Sequence, residues 1–320
     1  MYRLGIDLGG TNVAAGIVDS DYKIIVKSSV PTRADHPAEV IVDDIAGLCR
    51  LLCDEAGIAL SEIESVGIAT PGIANNTTGV VEYANNLPFR NFPIAALLRQ
   101  KLNISASVHI ANDANAAAWG EAVAGAAKGT SNSVMITLGT GVGGGIIIDN
   151  KIYTGFNYAG GELGHIVIEY NGVPCTCGRR GCWESYSSAT ALIRMTREKI
   201  AECEKAGRPT LMTEMVARKG KVTGRTACDA MRMGDEPARE VYDTYISYLV
   251  CGLVNIVNIF QPEVISLGGG ISNEGQPLID SIMAGIRAEQ YGGIGVAQTD
   301  IRIAELKNDA GIIGAAALVE

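Results

Sequence analysis

The chain has 320 residues, with 26 Lys plus Arg against 35 Asp plus Glu and a net charge of −9. This length exceeds the size at which one hydrophobic core usually stops growing, so two lobes are expected. The acidic balance argues against a nucleic-acid partner, although backbone amides could still bind a nucleotide. We find no signal peptide and no apolar run long enough for a membrane span, and we expect a cytoplasmic enzyme.

A β-hairpin is predicted at the start of the chain, because apolar residues 2–8 and 13–19 flank a glycine turn. The same strand–turn–strand pattern returns about 130 residues later, over 133–149. The identities at this offset are Ile6 with Ile136, Leu8 with Leu138, Gly9 with Gly139, Ile17 with Ile147 and Asp19 with Asp149. We interpret the pattern as a duplicated lobe whose glycine turns face a shared cleft. Chance similarity between two glycine hairpins is the alternative.

The rest of the chain alternates between apolar strands and helical patterns. Strands are predicted at SVGIAT, ASVHIAN, EVISLG and near 300–305, and an alanine-rich helix follows ASVHIAN. The other predicted helices cover about 38–56, 188–205, 236–260 and 310–319, and the polar segment 207–226 is expected to form a loop or short elements. This alternation predicts a mostly parallel sheet.

Asp7 ends the first predicted strand, directly before Gly9-Gly10-Thr11. A carboxylate among apolar strand residues is costly unless it meets a cation or hydrogen-bond donors. Asp7 could therefore bind Mg²⁺, or it could simply cap the following turn. Two further glycine turns, at 139–145 and 268–270, favour the binding of phosphates and a ribose by the backbone.

Asp113 opens the alanine-rich helix immediately after a strand. Aspartate is a favoured helix N-cap, and that structural role is the simpler interpretation. The alternative is a general base at the carboxyl end of a strand, where open α/β sheets bind their ligands. One such carboxylate is enough to take a proton from an alcohol that attacks a phosphoryl group.

A possible metal site lies between residues 160 and 188. His165, Cys175, Cys177 and Cys182 offer one imidazole and three thiols, a usual ligand set for tetrahedral zinc. Glycines at 178 and 181 would allow the tight turn that brings the sulfurs together. Buried unliganded cysteines are the alternative, and a disulfide is disfavoured by the short Cys-x-Cys spacing.

Several polar residues near this segment have the chemistry to bind a polyol. Carboxylates accept hydrogen bonds from sugar hydroxyls, and amides both donate and accept them. Each residue taken singly could be an ordinary solvated side chain, but as a group beside one metal site they indicate a binding site. The residues are Asn86, Asn112, Glu162, His165 and Glu184.

Five blocks of the sequence together resemble the ROK (repressor, ORF, kinase) sugar kinases, and among them the bacterial ATP-dependent glucokinases. The matched blocks extend over nearly the whole chain, and the His-x9-Cys-x-Cys-x4-Cys block is the most specific of them. The blocks are DLGGT at 7–11, NDAN at 112–115, TLGTGVGGG at 137–145, GELGH at 161–165 and CTCGRRGCWE at 175–184.

The resemblance implies an α/β actin-like ATPase (ribonuclease H-like) fold with two lobes around a nucleotide and sugar cleft. The small lobe would comprise residues 1–115 and 306–320, and the large lobe 116–305. The implied reaction is transfer of the ATP γ-phosphate to D-glucose, with Mg²⁺ as cofactor, structural Zn²⁺ and a homodimeric assembly. Kinases for N-acetylmannosamine or N-acetylglucosamine, and a sugar-sensing regulator without catalysis, are the alternatives.

The resemblance also assigns roles to individual residues. Asp113 would remove the proton from the sugar 6-hydroxyl, and His165 would bind zinc through one ring nitrogen and the sugar through the other. The expected hexose contacts are Gly72, Asn86, Asn112, Asp113, Glu162, His165 and Glu184. The expected nucleotide contacts are Asp7, Gly9, Gly10, Thr11, Asn12, Thr140, Gly141, Gly269 and Gly270.

Two features separate the chain from other members of the group. Many relatives have lysine directly after GGT, where this chain has Asn12. Less positive charge would then face the phosphates, so more of the neutralisation would fall to Mg²⁺. Family repressors have a DNA-binding helix-turn-helix before the first hairpin, and here the hairpin begins at residue 2, so we expect no such function.

Overall fold

The fold is described from a computed structural model, which covers residues 1–292 and 297–318. The strands are β1 (Tyr2–Leu8), β2 (Asn12–Val18), β3 (Ile24–Pro31), β4 (Ile63–Thr70), β5 (Ile73–Asn75), β6 (Val80–Tyr83), β7 (Arg90–Phe92), β8 (Ser107–Asn112), β9 (Ser133–Leu138), β10 (Val142–Ile148), β11 (Lys151–Ile152), β12 (Val264–Gly268) and β13 (Asp300–Ile303). The helices are α1 (Ala38–Ala56), α2 (Ile94–Leu102), α3 (Asp113–Ala124), α4 (Glu184–Ser187), α5 (Ala189–Ala206), α6 (Leu211–Lys219), α7 (Thr226–Arg232), α8 (Glu236–Phe260), α9 (Gln276–Glu289) and α10 (Ala310–Ala316).

Two five-stranded sheets share one topology. Their strand orders are β3-β2-β1-β4-β8 and β11-β10-β9-β12-β13, and a three-stranded sheet, β5-β6-β7, accompanies the first. In each five-stranded sheet two neighbouring pairs are antiparallel and two are parallel. The prediction of a mostly parallel sheet was therefore wrong. Short turns join the first three strands of each sheet and force antiparallel pairing, whereas the later strands return through helices.

The repeated hairpin is confirmed, but its sequence alignment is wrong after the turn. Leu8 lies opposite Val13 across residues 9–12, whereas Leu138 lies opposite Val142 across the shorter turn 139–141. The second strand of the later hairpin therefore aligns with that of the first at an offset of 129 residues, not 130. Ile17 pairs with Leu4, and its counterpart is Ile146, which pairs with Val134. The matches of Ile17 with Ile147 and of Asp19 with Asp149 are therefore coincidental.

The long helices have nearly the predicted bounds, because their apolar faces and their ends are encoded locally. In α1, Ile41, Ile45 and Leu52 are fully buried, and the helix ends at Gly57, whose φ of 66° lies in the left-handed region. The polar segment 207–226 contains α6, as expected for short elements. The predicted terminal helix reached residue 319, and residues 319 and 320 lie outside the described residues.

Each large sheet has its own hydrophobic core. One core joins β1, β2 and β4 to α1 and α2, and the other joins β9, β10 and β12 to α8 and α9. Helices α3 and α10 lie between the cores and approach each other closely. A Cβ on Gly314 would collide with the carbonyl oxygen of Ala116, and one on Gly5 would collide with that of Ile312. Glycine at these positions therefore lets α10 pack directly on α3 and β1.

Helix α8 corrects one expectation. By length and composition it could cross a membrane, with a mean hydropathy of 1.3 over the qualifying window, although no such run was expected. Half of that window is buried inside the fold, where Leu249, Leu253 and Ile256 have no exposed surface. A core helix satisfies the same criterion, and α8 has the packing of one.

Candidate active site and metal centre

The carboxyl ends of β1, β4 and β8 meet at one edge of the first sheet, because these three strands are parallel. A cleft of about 660 Å³ opens there and continues to the glycine turn after β12. Parallel sheets present ligand-binding residues at this edge. The cleft is lined by Asp7, Asp113, Ala114, Ala117, Met135, Thr137, Gly143, Gly268, Gly269, Gly270, Ser272, Asn273, Ala304, Lys307, Asn308, Ala310 and Gly311.

Asn112, rather than Asp113, caps helix α3. Its Oδ1 accepts hydrogen bonds from the backbone N–H groups of Ala114 at 3.0 Å and Asn115 at 3.3 Å, as an N-cap residue does. Its Nδ2 donates to the carbonyl oxygen of Gly72 at 3.1 Å, which fixes the turn after β4. Asp113 is the first residue of the helix, and its Oδ1 accepts a hydrogen bond from the backbone N–H of Ala114 at 2.8 Å. The capping interpretation of Asp113 was therefore wrong, and its carboxylate faces the cleft.

The two aspartates of the cleft are both harder to ionise than free aspartates. Burial raises the pKa of Asp7 from 3.8 to about 6, and the negative charge of Asp113 adds to the effect. The pKa of Asp113 is raised as well, first by the loss of hydration inside the cleft and then by the charge of Glu162. Asp113 is open to solvent at the surface, yet the cleft walls displace much of the water around its carboxylate.

Glu162 and His165 come together beside Asp113. The Nε2 atom of His165 lies 4.0 Å from Oε2 of Glu162, and its Nδ1 atom lies 3.7 Å from Sγ of Cys175. The two ring nitrogens thus face different groups, one towards a carboxylate and the other towards the cysteines. The imidazole of His165 therefore lies between a predicted sugar residue, Glu162, and a predicted metal ligand, Cys175.

The four predicted metal ligands form one cluster. Their ligand atoms all lie within 4.8 Å of one another, and Sγ of Cys177 is 3.6 Å from Sγ of Cys182. A tetrahedral zinc site with Zn–S bonds of about 2.3 Å and a Zn–N bond of about 2.0 Å separates its ligands by about 3.5–3.8 Å. The observed spacing and the donor set both fit that geometry.

The remaining predicted sugar residues, Gly72, Asn86 and Glu184, are not among the described residues that line the 660 Å³ cleft. Gly72 has a φ of 89°, and a Cβ there would collide with the carbonyl oxygen of Tyr83. Asn86 lies against Gly10, where a Cβ would contact its amide nitrogen. Glu184 accepts a hydrogen bond from the backbone N–H of Val142 at 3.0 Å.

The glycine turns do not all line the same space. Asp7, Gly269 and Gly270 line the 660 Å³ cleft, whereas Thr140 and Gly141 line a separate pocket of about 360 Å³ that also contains Glu184 and Cys175. The turn residues Gly9, Gly10, Thr11 and Asn12 line neither of these two spaces.

The sequence analysis missed the wall formed by the chain after β13. Lys307, Asn308 and Gly311 line the cleft, together with Ser272 and Asn273 after β12. The strands β12 and β13 are both recognisable in the sequence, and because they pair in parallel their carboxyl ends lie at the same edge of the sheet. No glycine motif marks the second of these ends, so the segment was not recognised.

Comparison with known proteins places this geometry in a family. Residues 3–320 match the ROK family. The chain belongs to the ROK family. It is 36% identical over 316 residues to a glucokinase of Streptomyces coelicolor, covering 98% of this chain and 96% of that enzyme. It is 34% identical over 322 residues to a glucokinase of Thermotoga maritima, covering 99% and 96% of the two chains.

A solved ROK structure shows the same architecture. It is a glucokinase from Streptomyces griseus in complex with glucose and AMPPNP, 33% identical, with a TM-score of 0.78 over 99% of this chain and 98% of that one. The predicted actin-like ATPase fold is thereby confirmed. ROK repressors are also similar: the xylose repressor of Bacillus subtilis is 27% identical over 92% of this chain, which covers 71% of the repressor.

Proposed function

We propose that the protein is an ATP-dependent glucokinase, which converts D-glucose and ATP to glucose 6-phosphate and ADP. Glucokinases at 34–36% identity over nearly the full length support this function. The observation that carries it is the position of Asp113. Asn112 rather than Asp113 caps helix α3, and the carboxylate of Asp113 lies in the cleft, close enough to Asp7 and Glu162 for their charges to interact.

Asp113 is proposed as the general base. It accepts the proton of the sugar 6-hydroxyl while that oxygen forms a bond to the γ-phosphorus. The bond between the γ-phosphorus and the bridging oxygen breaks, and ADP leaves with the electron pair. A raised pKa makes the carboxylate a better proton acceptor than an exposed aspartate once it is ionised. Activity should therefore fall as the pH drops through this raised pKa.

The other predicted site residues are proposed to bind and orient the substrates. Asp7 would hold Mg²⁺, which neutralises phosphate charge, because its buried carboxylate supplies the oxygen ligands that this cation prefers. The proposed hexose contacts are Gly72, Asn86, Asn112, Asp113, Glu162, His165 and Glu184. The proposed nucleotide contacts are Gly9, Gly10, Thr11, Asn12, Thr140, Gly141, Gly269 and Gly270.

The cluster of His165 and the three cysteines is proposed to hold a structural zinc ion. Four protein ligands leave no open position for substrate, so zinc would fix the fold rather than take part in the reaction. A bond from Nδ1 of His165 to the metal would leave Nε2, on the side of Glu162, for a sugar hydroxyl.

We also propose the larger organisation of the enzyme. The small lobe comprises residues 1–115 and 306–320 and the large lobe 116–305, in keeping with two separate hydrophobic cores. The enzyme acts in the cytoplasm as a homodimer. It binds no nucleic acid, because a net charge of −9 opposes contact with a phosphate backbone.

The Asp113→Asn variant tests the function. Loss of the base should lower kcat by about 10²–10⁴-fold, while hexose binding changes little. Glucose, N-acetylmannosamine and N-acetylglucosamine are compared in a coupled assay of ADP release. Asp54→Asn, at an exposed position on α1, is the matched control and should retain full activity. Retained kcat in Asp113→Asn would refute the assignment of the base, and sugar binding without turnover by the native protein would indicate a regulator.

A further inference from the structure

The cleft contains a cation that the sequence analysis did not assign. Among the described residues that line it, three are charged, namely Asp7, Asp113 and Lys307. Lys307 is exposed, and it makes no ion pair or side-chain hydrogen bond within the described part of the chain. Asn12, which follows the first glycine turn, does not line this cleft. Within the described parts of the chain, the one positive side chain on the cleft walls therefore comes from near the carboxyl terminus.

The backbone at Lys307 has an unusual conformation. Its φ is 53°, in the left-handed region that residues other than glycine seldom adopt. Such a conformation persists only when the surrounding structure enforces it, and it is common where a chain contacts a ligand. Lys307 lies between β13 and α10, so this conformation directs the chain along the cleft wall.

Buried Glu121 fixes the chain immediately before Lys307. Its side chain has no exposed surface and accepts hydrogen bonds from the backbone N–H groups of Leu306 at 2.8 Å and Glu305 at 3.1 Å. It also accepts one from Ala126 at 2.7 Å, beyond the end of α3. A buried carboxylate with three such donors is stable, and it ties α3 to the segment that bears Lys307.

The chain immediately after Lys307 is fixed as well. Asp309 forms an ion pair with Nζ of Lys27 on β3, at 2.6 Å. With anchors on both sides, residues 307 and 308 are held at the cleft wall. The arrangement places Lys307, whose ammonium group has no ion pair with any described residue, on the wall of the same space as Asp7, Asp113 and the glycine turn at 269–270.

We propose that Lys307 binds the phosphates of the nucleotide. This inference rests on the proposed kinase function. A triphosphate that enters a cleft with two aspartates meets unfavourable charge, which Mg²⁺ offsets in part and an ammonium group offsets further. Lys307 would thus supply positive charge that Asn12 does not, and it would recognise the polyphosphate rather than the nucleoside.

The experiment measures nucleotide affinity directly. Calorimetric Kd values for MgATP, MgADP and adenosine are compared between the native protein, Lys307→Met and Lys307→Arg. Because a hydrogen bond to a charged group contributes about 1.5–3 kcal/mol, MgATP and MgADP should bind about tenfold or more weakly to Lys307→Met. Adenosine affinity and the KM for hexose should stay unchanged, and Lys307→Arg should retain most of the affinity.

Lys221→Ala is the matched control, because Lys221 is exposed and lies away from the cleft. Equal MgATP affinity in Lys307→Met and the native protein would overturn the inference alone. An equal loss for adenosine and MgATP would also overturn it, since Lys307 would then contact the nucleoside. A native protein that binds no MgATP would overturn the proposed function and this inference together.

Discussion

At the scale of single residues, the charge on Asp7 is unfavourable, because burial and the charge of Asp113 both disfavour its ionised form. Asp7 ends a buried strand, and within the described residues its carboxylate makes no hydrogen bond or ion pair. The raised pKa of Asp7 follows from that environment, with the charge of Asp113 as the second cause. A position that is electrostatically poor for the ligand-free protein is well suited to bind a cation.

Replacing Asp7 by asparagine should stabilise the ligand-free protein at neutral pH. The unfolded chain loses this proton near pH 3.8 and the folded protein near pH 6, so ionised Asp7 lowers stability as pH rises between these values. This difference between the two pKa values lowers the free energy of unfolding by about 3 kcal/mol above pH 6. Urea unfolding of Asp7→Asn and the native protein at pH 7.5 and pH 4.5 measures the effect.

The free energy of unfolding of Asp7→Asn should exceed that of the native protein most at pH 7.5, and the difference should be smaller at pH 4.5. The same variant should lose MgATP affinity, because it removes a ligand proposed for Mg²⁺. Asp54→Asn, on the surface of α1, is the control and should change neither quantity. A variant that is less stable than the native protein at pH 7.5 would contradict the raised pKa.

At the scale of elements, the segment between β11 and α4 has little regular structure. Within it only a single 3₁₀ turn, Leu163–His165, and the isolated bridges Val167↔Cys182 and Pro174↔Arg180 are present. Gly181 has a φ of 78°, and a Cβ there would collide with the carbonyl oxygen of Glu169. Turns and scattered backbone hydrogen bonds, such as the one of 2.8 Å from Trp183 to the carbonyl oxygen of Ile166, order this segment in place of helices and strands. The proposed zinc ion would add four bonds to this arrangement.

Native protein prepared without chelator should contain about one zinc per chain. Cys177→Ser should lose most of this zinc, and the KM for glucose should rise because His165 and Glu162 are no longer held in place. Metal analysis and steady-state kinetics provide the two measurements. Cys251→Ser, at a half-buried thiol on α8, should keep both values. Less than about half an equivalent of zinc in the native protein would count against the four-ligand site.

At the scale of the whole molecule, the parts on the two sides of the cleft are joined by a packed centre and by an outer contact. Helices α3 and α10 form the centre, where glycines allow close approach. The outer contact is a hydrogen bond of 2.8 Å from the hydroxyl of Tyr158, after β11, to Oγ1 of Thr77, between β5 and β6. It joins a segment next to the second sheet to the three-stranded sheet beside the first.

Tyr158→Phe removes this outer contact while it keeps the ring. A hydrogen bond of this kind contributes about 0.5–1.5 kcal/mol, so the KM for glucose should rise by about 2- to 10-fold if the contact favours the closed cleft. Steady-state kinetics measures the change, and kcat should be affected less than KM. Tyr153→Phe is the matched control, because the described residues offer no partner to that hydroxyl. Equal KM values in the native protein and Tyr158→Phe would show that the contact plays no part in binding.

Local signals explain which features could be predicted. The bounds of α1 and α8 follow from apolar periodicity and from the residues that end each helix, Gly57 and Gln261. The cluster of candidate metal ligands was recognisable because the three cysteines lie within eight residues, from 175 to 182. The register of the second hairpin was not predictable, since one residue fewer in a turn changes every pairing after it.

By itself the sequence determined the elements, the repeated hairpin, the candidate cluster of one histidine and three cysteines and the family, because each depends on residues close together in the chain. Only the tertiary structure showed that Asn112, and not Asp113, caps α3, and that the charge of Asp113 raises the pKa of Asp7. Only the structure placed Lys307 on the cleft wall. These relations join distant parts of the chain, and they depend on packing and electrostatics that no local pattern encodes.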